Sequence, residues 1–213
     1  IGVHEFNARG RSQELSLAEL TELIKLCHLF DVKVYLAMNI LLFEKEISLA
    51  ISTLENLLPL SPAAFIVQDI GLAKIISQLS PEMPIHASPQ MTITHPLATE
   101  LLNDLNIKRF VLARENSLEE ISSFRKQTTK ELEVFVHGAL CVSYSGQCFT
   151  SEVLGGRSAN RGQCAQSCRF DYQLFVDGKK IDLDGKNYLV SPQDLCALDE
   201  IDSLESFGID SDQ

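Results

Sequence analysis

Cys141, Cys148, Cys164 and Cys168 follow one another with the spacing Cys-x6-Cys-x15-Cys-x3-Cys. Thiolates are soft ligands, and four in one segment suit a tetrahedral zinc ion or a 4Fe–4S cluster. Zinc ribbons and knuckles bring their ligands as Cys-x2-Cys pairs, and this segment has none. A Cys-x3-Cys pair on a helical turn would present both sulfurs on one face, which a cube-shaped cluster can use. The spacing alone leaves cluster, zinc and unligated thiols open. The two other cysteines stand apart. Cys27 falls on the apolar face of a helix and reads as core. Cys196 falls in what reads as the first turn of a helix, either packed or a spare ligand.

Other groups with chemical potential follow short apolar runs. They are Asn7 and Arg9, Asn39, Gln68-Asp69, the stretch from His86 to Gln90, Arg114-Glu115, and His137. His137 is a substrate contact, an acid–base group or a hydrogen-bonded structural histidine. His86 and Gln90 stand at a strand end, where a ligand would meet them. Arg9 and Arg114 have the planar forks that hold carboxylates, or they form ion pairs at the rim. Arg157, Asn160 and Arg161 touch phosphate or brace the cysteine segment. Two protease motifs are missing: His4-Glu5 is followed by Ala8 where His-Glu-x-x-His needs its second histidine, and Ser145 has Ser143 where Gly-x-Ser-x-Gly needs glycine. A cysteine nucleophile served by His137 keeps peptide hydrolysis as the alternative, and a zinc-stabilised binding module is the second.

These groups need elements to position them. Strands are predicted at 32–38, 64–67, 84–87, 109–113 and 132–136. Ser16 with Glu19 and Ser117 with Glu120 are capping-box signatures that open helices between them, and Ser191-Pro192 reads as a further helix start. Strand–helix alternation gives a parallel sheet, doubly wound or closed. A doubly wound sheet would gather its polar groups at one crevice behind a Gly-rich turn. Here they follow many strands and no such turn occurs, so the expected fold is α/β, a TIM-type βα-barrel incomplete at both ends. It is read as one partial barrel domain over 1–213. Residues 139–190, after the strand ending near Val136, form an inserted Cys-rich loop and a β-hairpin turning at Asp177-Gly178.

Composition narrows the function. The chain has 213 residues, 45% hydrophobic and 22% charged, enough for one core and too apolar for disorder. The net charge of −11 argues against a general nucleic-acid binder. Within it, Arg157, Arg161, Arg169, Lys179 and Lys180 oppose only Asp171 and Asp177, a local excess of +3 over the cysteine segment. No run of about 18 apolar residues marks a membrane span. Clustered thiols in a chain with a core of its own point to a reducing, cytoplasmic setting and not to a disulfide framework. The opening Ile1-Gly2-Val3 reads as a chain cut from something longer, and so does the end.

The stretches Phe135 to Cys148 and Gly155 to Arg169 resemble the signatures of the U-thirty-two (collagenase-like) peptidase family. Phe6-Asn7-Ala8-Arg9, Val67-Gln68-Asp69, His86-Ala87-Ser88 with Gln90, and Val111 to Glu115 also have counterparts there. Within the family the chain is most similar to the branch that hydroxylates a cytidine of 23S ribosomal RNA, whose sister branch acts on tRNA. The resemblance implies a 4Fe–4S cluster on Cys141, Cys148, Cys164 and Cys168 and an RNA substrate, ribosomal RNA or tRNA. It also implies prephenate, a small dicarboxylate, as the hydroxyl source. Family members continue past a Lys-Ile-Glu-Gly-Arg segment where this chain has Asp210-Ser211-Asp212-Gln213, so a first strand and the end of the barrel are expected to be missing.

Overall fold

The computed structural model describes residues 1–8, 15–191 and 193–212. Helix and strand alternate through α1 (Leu17–Leu29), β1 (Tyr35–Met38), α2 (Ile47–Leu57), β2 (Ala64–Val67), α3 (Ile70–Leu79) and β3 (Ile85–Ala87). The alternation continues through α4 (Leu97–Leu101), β4 (Ile107–Val111), α5 (Leu118–Arg125) and β5 (Glu131–Val134). An excursion follows, with β6 (His137–Ala139), α6 (Thr150–Gly155), the hairpin β7 (Phe175–Val176) and β8 (Lys179–Lys180), and β9 (Asp194–Cys196). Helix α7 (Ile201–Phe207) and β10 (Ser211–Asp212) then return the chain to the sheet.

The sheet is parallel, in the order β1-β2-β3-β4-β5-β10, and Gly2 bridges Ala37 in parallel on the outer side of β1. Strand order therefore follows chain order without reversing, which removes the doubly wound alternative. No hydrogen bonding closes the sheet among the described residues. Crossovers of one hand along such an order place the helices on one face. That face is the core. Leu36, Met38, Phe65, Val67, Ile85, Phe110 and Leu132 are buried there with Ile24, Leu54, Leu72, Ile76 and Phe124 from the helices.

The capping boxes form as read, Ser16 with Glu19 on α1 and Ser117 with Glu120 on α5. The hairpin turns at Asp177 and Gly178, both with positive φ, as its I′ signal requires. Two expectations fail. Ser191-Pro192 opens no helix: Asp194–Cys196 is strand β9, antiparallel to β6, and the helix begins only at Ile201. Backbone pairing with His137–Ala139 overrides the N-terminal signal, and Pro192 itself lies outside the described residues. Cys164 and Cys168 do not share a helical turn, because Gln166 is left-handed (φ 55°) and only Ser167–Arg169 form a single 3-10 turn.

The face opposite the helices carries charged side chains among apolar ones. Ile66, His86, Arg109 and Glu131 stand in register on successive strands. Arg109 pairs with Glu131 at 2.8 Å and with Glu133 at 2.9 Å, and Glu133 is buried. Burial opposes the charge on Arg109, but the hydrogen bonds to Glu133 and Glu131 outweigh it and hold its pKa above the usual value. Breaking such a buried pair costs about 3–5 kcal/mol, since a charge is left without a partner. The His86 ring lies 4.8 Å from that of Tyr35. Burial, then the positive charge of Arg109, push its pKa down to about 4, against a weaker opposing pull from Glu131.

His86 should therefore titrate near pH 4 by NMR. The unfolded chain binds this proton more tightly, with a midpoint near 6.5. Its contribution to stability is complete above about pH 6.5 and is lost as pH falls through 4, on the order of 3 kcal/mol in all. His86→Gln should flatten that part of the stability profile; a midpoint at 6.5 in the folded protein contradicts the buried setting.

Candidate functional site at the strand ends

The loop that carries the cysteines folds back over the C-terminal ends of the strands, where parallel sheets with helical crossovers place their chemistry. Four attachments hold it there. Arg161 donates to both oxygens of Glu46, at 2.9 and 2.5 Å, and to the Leu41 carbonyl at 2.8 Å, with its guanidinium 4.9 Å from the Phe43 ring centre. Glu115 accepts from the Ser145 N–H at 2.7 Å and from its hydroxyl at 3.2 Å, while the Thr92 hydroxyl donates to the Ser145 carbonyl. Gly146 (φ +73°) lies on Gln90: a Cβ there would sit 2.0 Å from the Gln90 carbonyl oxygen. Gly162 (φ +76°) lies on Asn7 in the same way, at 2.2 Å.

Within the roof, two serines contact the thiols. The Ser151 hydroxyl contacts the Cys164 sulfur at 4.0 Å, while the Ser151 N–H bonds the Cys148 sulfur. The Ser191 hydroxyl bonds the Cys168 sulfur and donates to the carbonyl of Leu140, the residue before Cys141, at 2.7 Å. Burial alone would push the Cys148 thiol up. Hydrogen bonds from the Thr150 hydroxyl and N–H, the Ser143 hydroxyl and the Ser151 N–H reverse this and hold it below the ordinary value. Cys168 moves the other way: burial and the nearby charge of Cys141 raise it, Ser191 offsets part, and Cys164 and Cys148 add to the rise. Cys141, Cys148 and Cys164 thus all lie within electrostatic reach of Cys168. None is in a disulfide, and among the described residues no three His, Cys, Asp or Glu side chains close on a point for a single metal ion.

The remaining candidates divide. Arg114, just past β4, donates to the Ala139 carbonyl at 3.2 Å, approaches the Cys141 sulfur at 3.8 Å and stacks 4.3 Å over Phe135. Asn160 is buried and accepts from the Cys148 N–H at 3.1 Å, so it supports a thiol. Of the two uses open to Arg161, bracing is the one its contacts display. Gln68 donates to the Gln90 carbonyl at 3.3 Å, and both side-chain oxygens are buried without a hydrogen-bond partner among the described residues. Asn7 donates to the His4 carbonyl at 2.7 Å and packs on Gly2. Arg157 is exposed, and Arg9 lies outside the described residues. Two histidines do not join the group. His86 belongs to the middle of the sheet, and His137, exposed, stands across from Cys196 on β9.

From the sequence, Glu115 is only a polar rim residue and Ser191 only a helix start, and Glu46, Thr92 and Ser151 do not stand out. Hydroxyls and a distant carboxylate carry no spacing signal of their own. Asn39 and Asp69, polar residues after strands, prove structural: Asn39 accepts from the Ala8 N–H, and Asp69 caps α3 and accepts from the Leu42 N–H. Cys27 packs against the core as read.

The sequence profile of Peptidase family U32 matches residues 1–212. The chain belongs to this family. Among U32 relatives it is 38% identical over 177 residues to "tRNA hydroxylation protein P" of Helicobacter pylori (strain J99), covering 82% of this chain and 42% of that protein. It is 34% identical over 211 residues to "23S rRNA 5-hydroxycytidine C2501 synthase" of Escherichia coli (strain K12), covering 99% of this chain and 32% of that protein. The chain thus spans less than half of the length of these relatives. The solved structure of the U32 peptidase Mk0906 has a similar fold, with a TM-score of 0.55 at 16% identity, covering 65% of this chain and 60% of that one.

Gly146→Ala and Arg161→Ala should each loosen the roof and spare the sheet. A methyl group at 146 meets backbone, and strain of this kind costs about 1–3 kcal/mol. Hydrogen exchange of residues 141–168 should accelerate at least tenfold in both variants, with β1 to β4 still protected. Unchanged exchange in the roof would show that these contacts do not hold it.

Proposed function

We propose that this chain is the cluster-bearing part of an RNA-modifying hydroxylase acting at C5 of a pyrimidine in ribosomal RNA or tRNA. The observation that carries the reading is four thiols in one loop over the strand ends, with Cys148 and Cys164 both touching Ser151 and with Cys141, Cys148 and Cys164 all within electrostatic reach of Cys168. The names of the two relatives, tRNA hydroxylation and 5-hydroxycytidine synthesis, support the reaction class. The unreversed strand order supports a TIM-type barrel, and six unpaired cysteines fit the reducing cytoplasm. No helix among the described residues is long and apolar enough to cross a membrane.

The donor set fits a 4Fe–4S cluster. Cys141, Cys148, Cys164 and Cys168 would hold it, and the Cys148 sulfur receives N–H and O–H donors of the kind that tune such clusters. When bound, the cluster would supply one-electron chemistry and a Lewis-acidic iron to a small oxygen-bearing molecule. The protein's own part is positional. Ser151, Ser191 and Asn160 hold the thiols in place, and Arg114 stands beside Cys141 with donors to spare for a carboxylate of a dicarboxylate such as prephenate. With a net charge of −11, phosphate contacts fall to the basic stretch that begins at exposed Arg157. A peptidase reading has one observation in its favour, the cross-strand pair of His137 and Cys196. Ser145 and Cys141 offer it little, since their partners are Glu115 and Arg114.

Protein purified without oxygen should be brown and carry about four iron and four sulfide per chain. Cys141→Ser, Cys148→Ser, Cys164→Ser and Cys168→Ser should each bleach it, and Cys27→Ser should not. Stoichiometric zinc without sulfide would sink the cluster.

RNA from cells lacking the gene should lose a hydroxylated pyrimidine in its nucleoside mass profile, restored by the wild-type gene and not by Cys141→Ser. An unchanged profile, with peptide hydrolysis by the purified protein that Cys196→Ala abolishes, would make the peptidase reading the better one.

A further inference from the structure

A cavity of about 290 Å³ opens where the ends of β4 and β5 meet the first turn of α5, β9 and α7. The larger cavity, about 500 Å³, is built from hairpin residues between Asp171 and Asn187 and touches none of the cysteines or strand-end groups. The smaller one is different in kind. Leu118, Phe135, Leu195 and Leu204 give it apolar walls, and Arg114, Asn116 and Glu200 stand at its edge.

We propose that this cavity receives one unpaired pyrimidine base, turned out of its RNA strand; the inference rests on the hydroxylase reading. Enzymes acting on a base hold it between apolar or aromatic surfaces and read its edge with hydrogen bonds. Besides Ser117 and Cys196, the cavity's polar lining has one cation, one anion and one amide. A ligand with two carboxylates would meet Glu200, whereas a neutral ring with both donors and acceptors suits all three. The Asn116 amide nitrogen donates to the Thr94 carbonyl at 3.1 Å, and its oxygen is buried with no hydrogen-bond partner among the described residues. A buried acceptor without a donor is costly, and a ligand N–H removes that cost. The exocyclic amine of cytosine and the ring N–H of uracil both supply one. Position supports the assignment too. Arg114 lines the cavity and also reaches the Cys141 sulfur, so a ring held there lies beside the thiol roof.

The test is a titration of the isotope-labelled chain with cytidine, uridine, adenosine and ribose, followed by NMR. Cytidine and uridine should shift the Asn116 side-chain amide, the Arg114 Nε–H and the backbone of Leu118 and Ala197, saturating in the millimolar range. Ribose should shift none of them. Leu195→Trp, which fills the cavity, should weaken binding at least tenfold, and Asn116→Ala several-fold, with amide signals of β1 to β3 unchanged in both as the check on folding. No saturable shift, a shift that Leu195→Trp leaves intact, shifts confined to the hairpin cavity, or adenosine binding as well as the pyrimidines would each overturn the proposal. The cellular nucleoside profile fails separately. Pyrimidine binding here with an unchanged profile would remove the hydroxylase and keep the pocket, while an altered profile without binding would do the reverse.

Discussion

The bidentate ion pair between Arg161 and Glu46 is the contact on which the arrangement of thiols depends. It joins the cysteine loop to the first turn after β1, nearly the width of the sheet away from the strand where that loop begins. Both side chains are largely shielded from solvent, so the pair escapes most of the screening that makes surface ion pairs weak. Glu46 is itself prepared for the role. It accepts from the Phe43 N–H in a capping arrangement, and the hydrogen bond from Arg161 holds its carboxyl below the usual range against burial. With one end fixed at Glu46 and the other at Glu115, the loop between has little freedom left. Its two glycines then settle onto backbone carbonyls that no larger residue could approach.

That seating explains why thiols from four points in the loop end up together without a regular helix or sheet to place them. Short-range hydroxyl contacts finish the arrangement. Ser151 opens α6 and touches sulfurs on both sides of it, and Ser191 is tied to the end of β6. The antiparallel pairing of β6 and β9 brings the two ends of the excursion back side by side, so the whole insertion leaves and rejoins the sheet at one place.

Much of the scaffold was legible because it rests on local rules. Apolar runs gave the five strands to within a few residues, and the Ser16 and Ser117 caps mark their helices at the right position. The four cysteines were legible because softness and clustering are properties of composition. What failed had no local signature. Ser191 and Pro192 read as a helix start, yet the segment pairs as a strand with residues more than fifty positions earlier, a contact that no window of sequence contains. His86 follows the pattern of a strand-end ligand, but the bulge between β3 and β4 aligns it with Arg109 in mid-sheet. Arg161 looked equally suited to phosphate and to bracing, and only the position of Glu46 decides between them.

The order of strands sets a timetable. Each βα unit packs on the one before it, so the sheet can grow by short loop closures as the chain emerges from the ribosome. The roof cannot. Its bond from Arg161 to the Leu41 carbonyl spans 120 positions, and that from Arg161 to Glu46 spans 115. Both must wait until the strands between are in place. The thiols therefore reach their positions only after strands β1 to β5, and any metal acquired earlier would meet a segment without shape. Assembly of the site is gated by the strands beneath it.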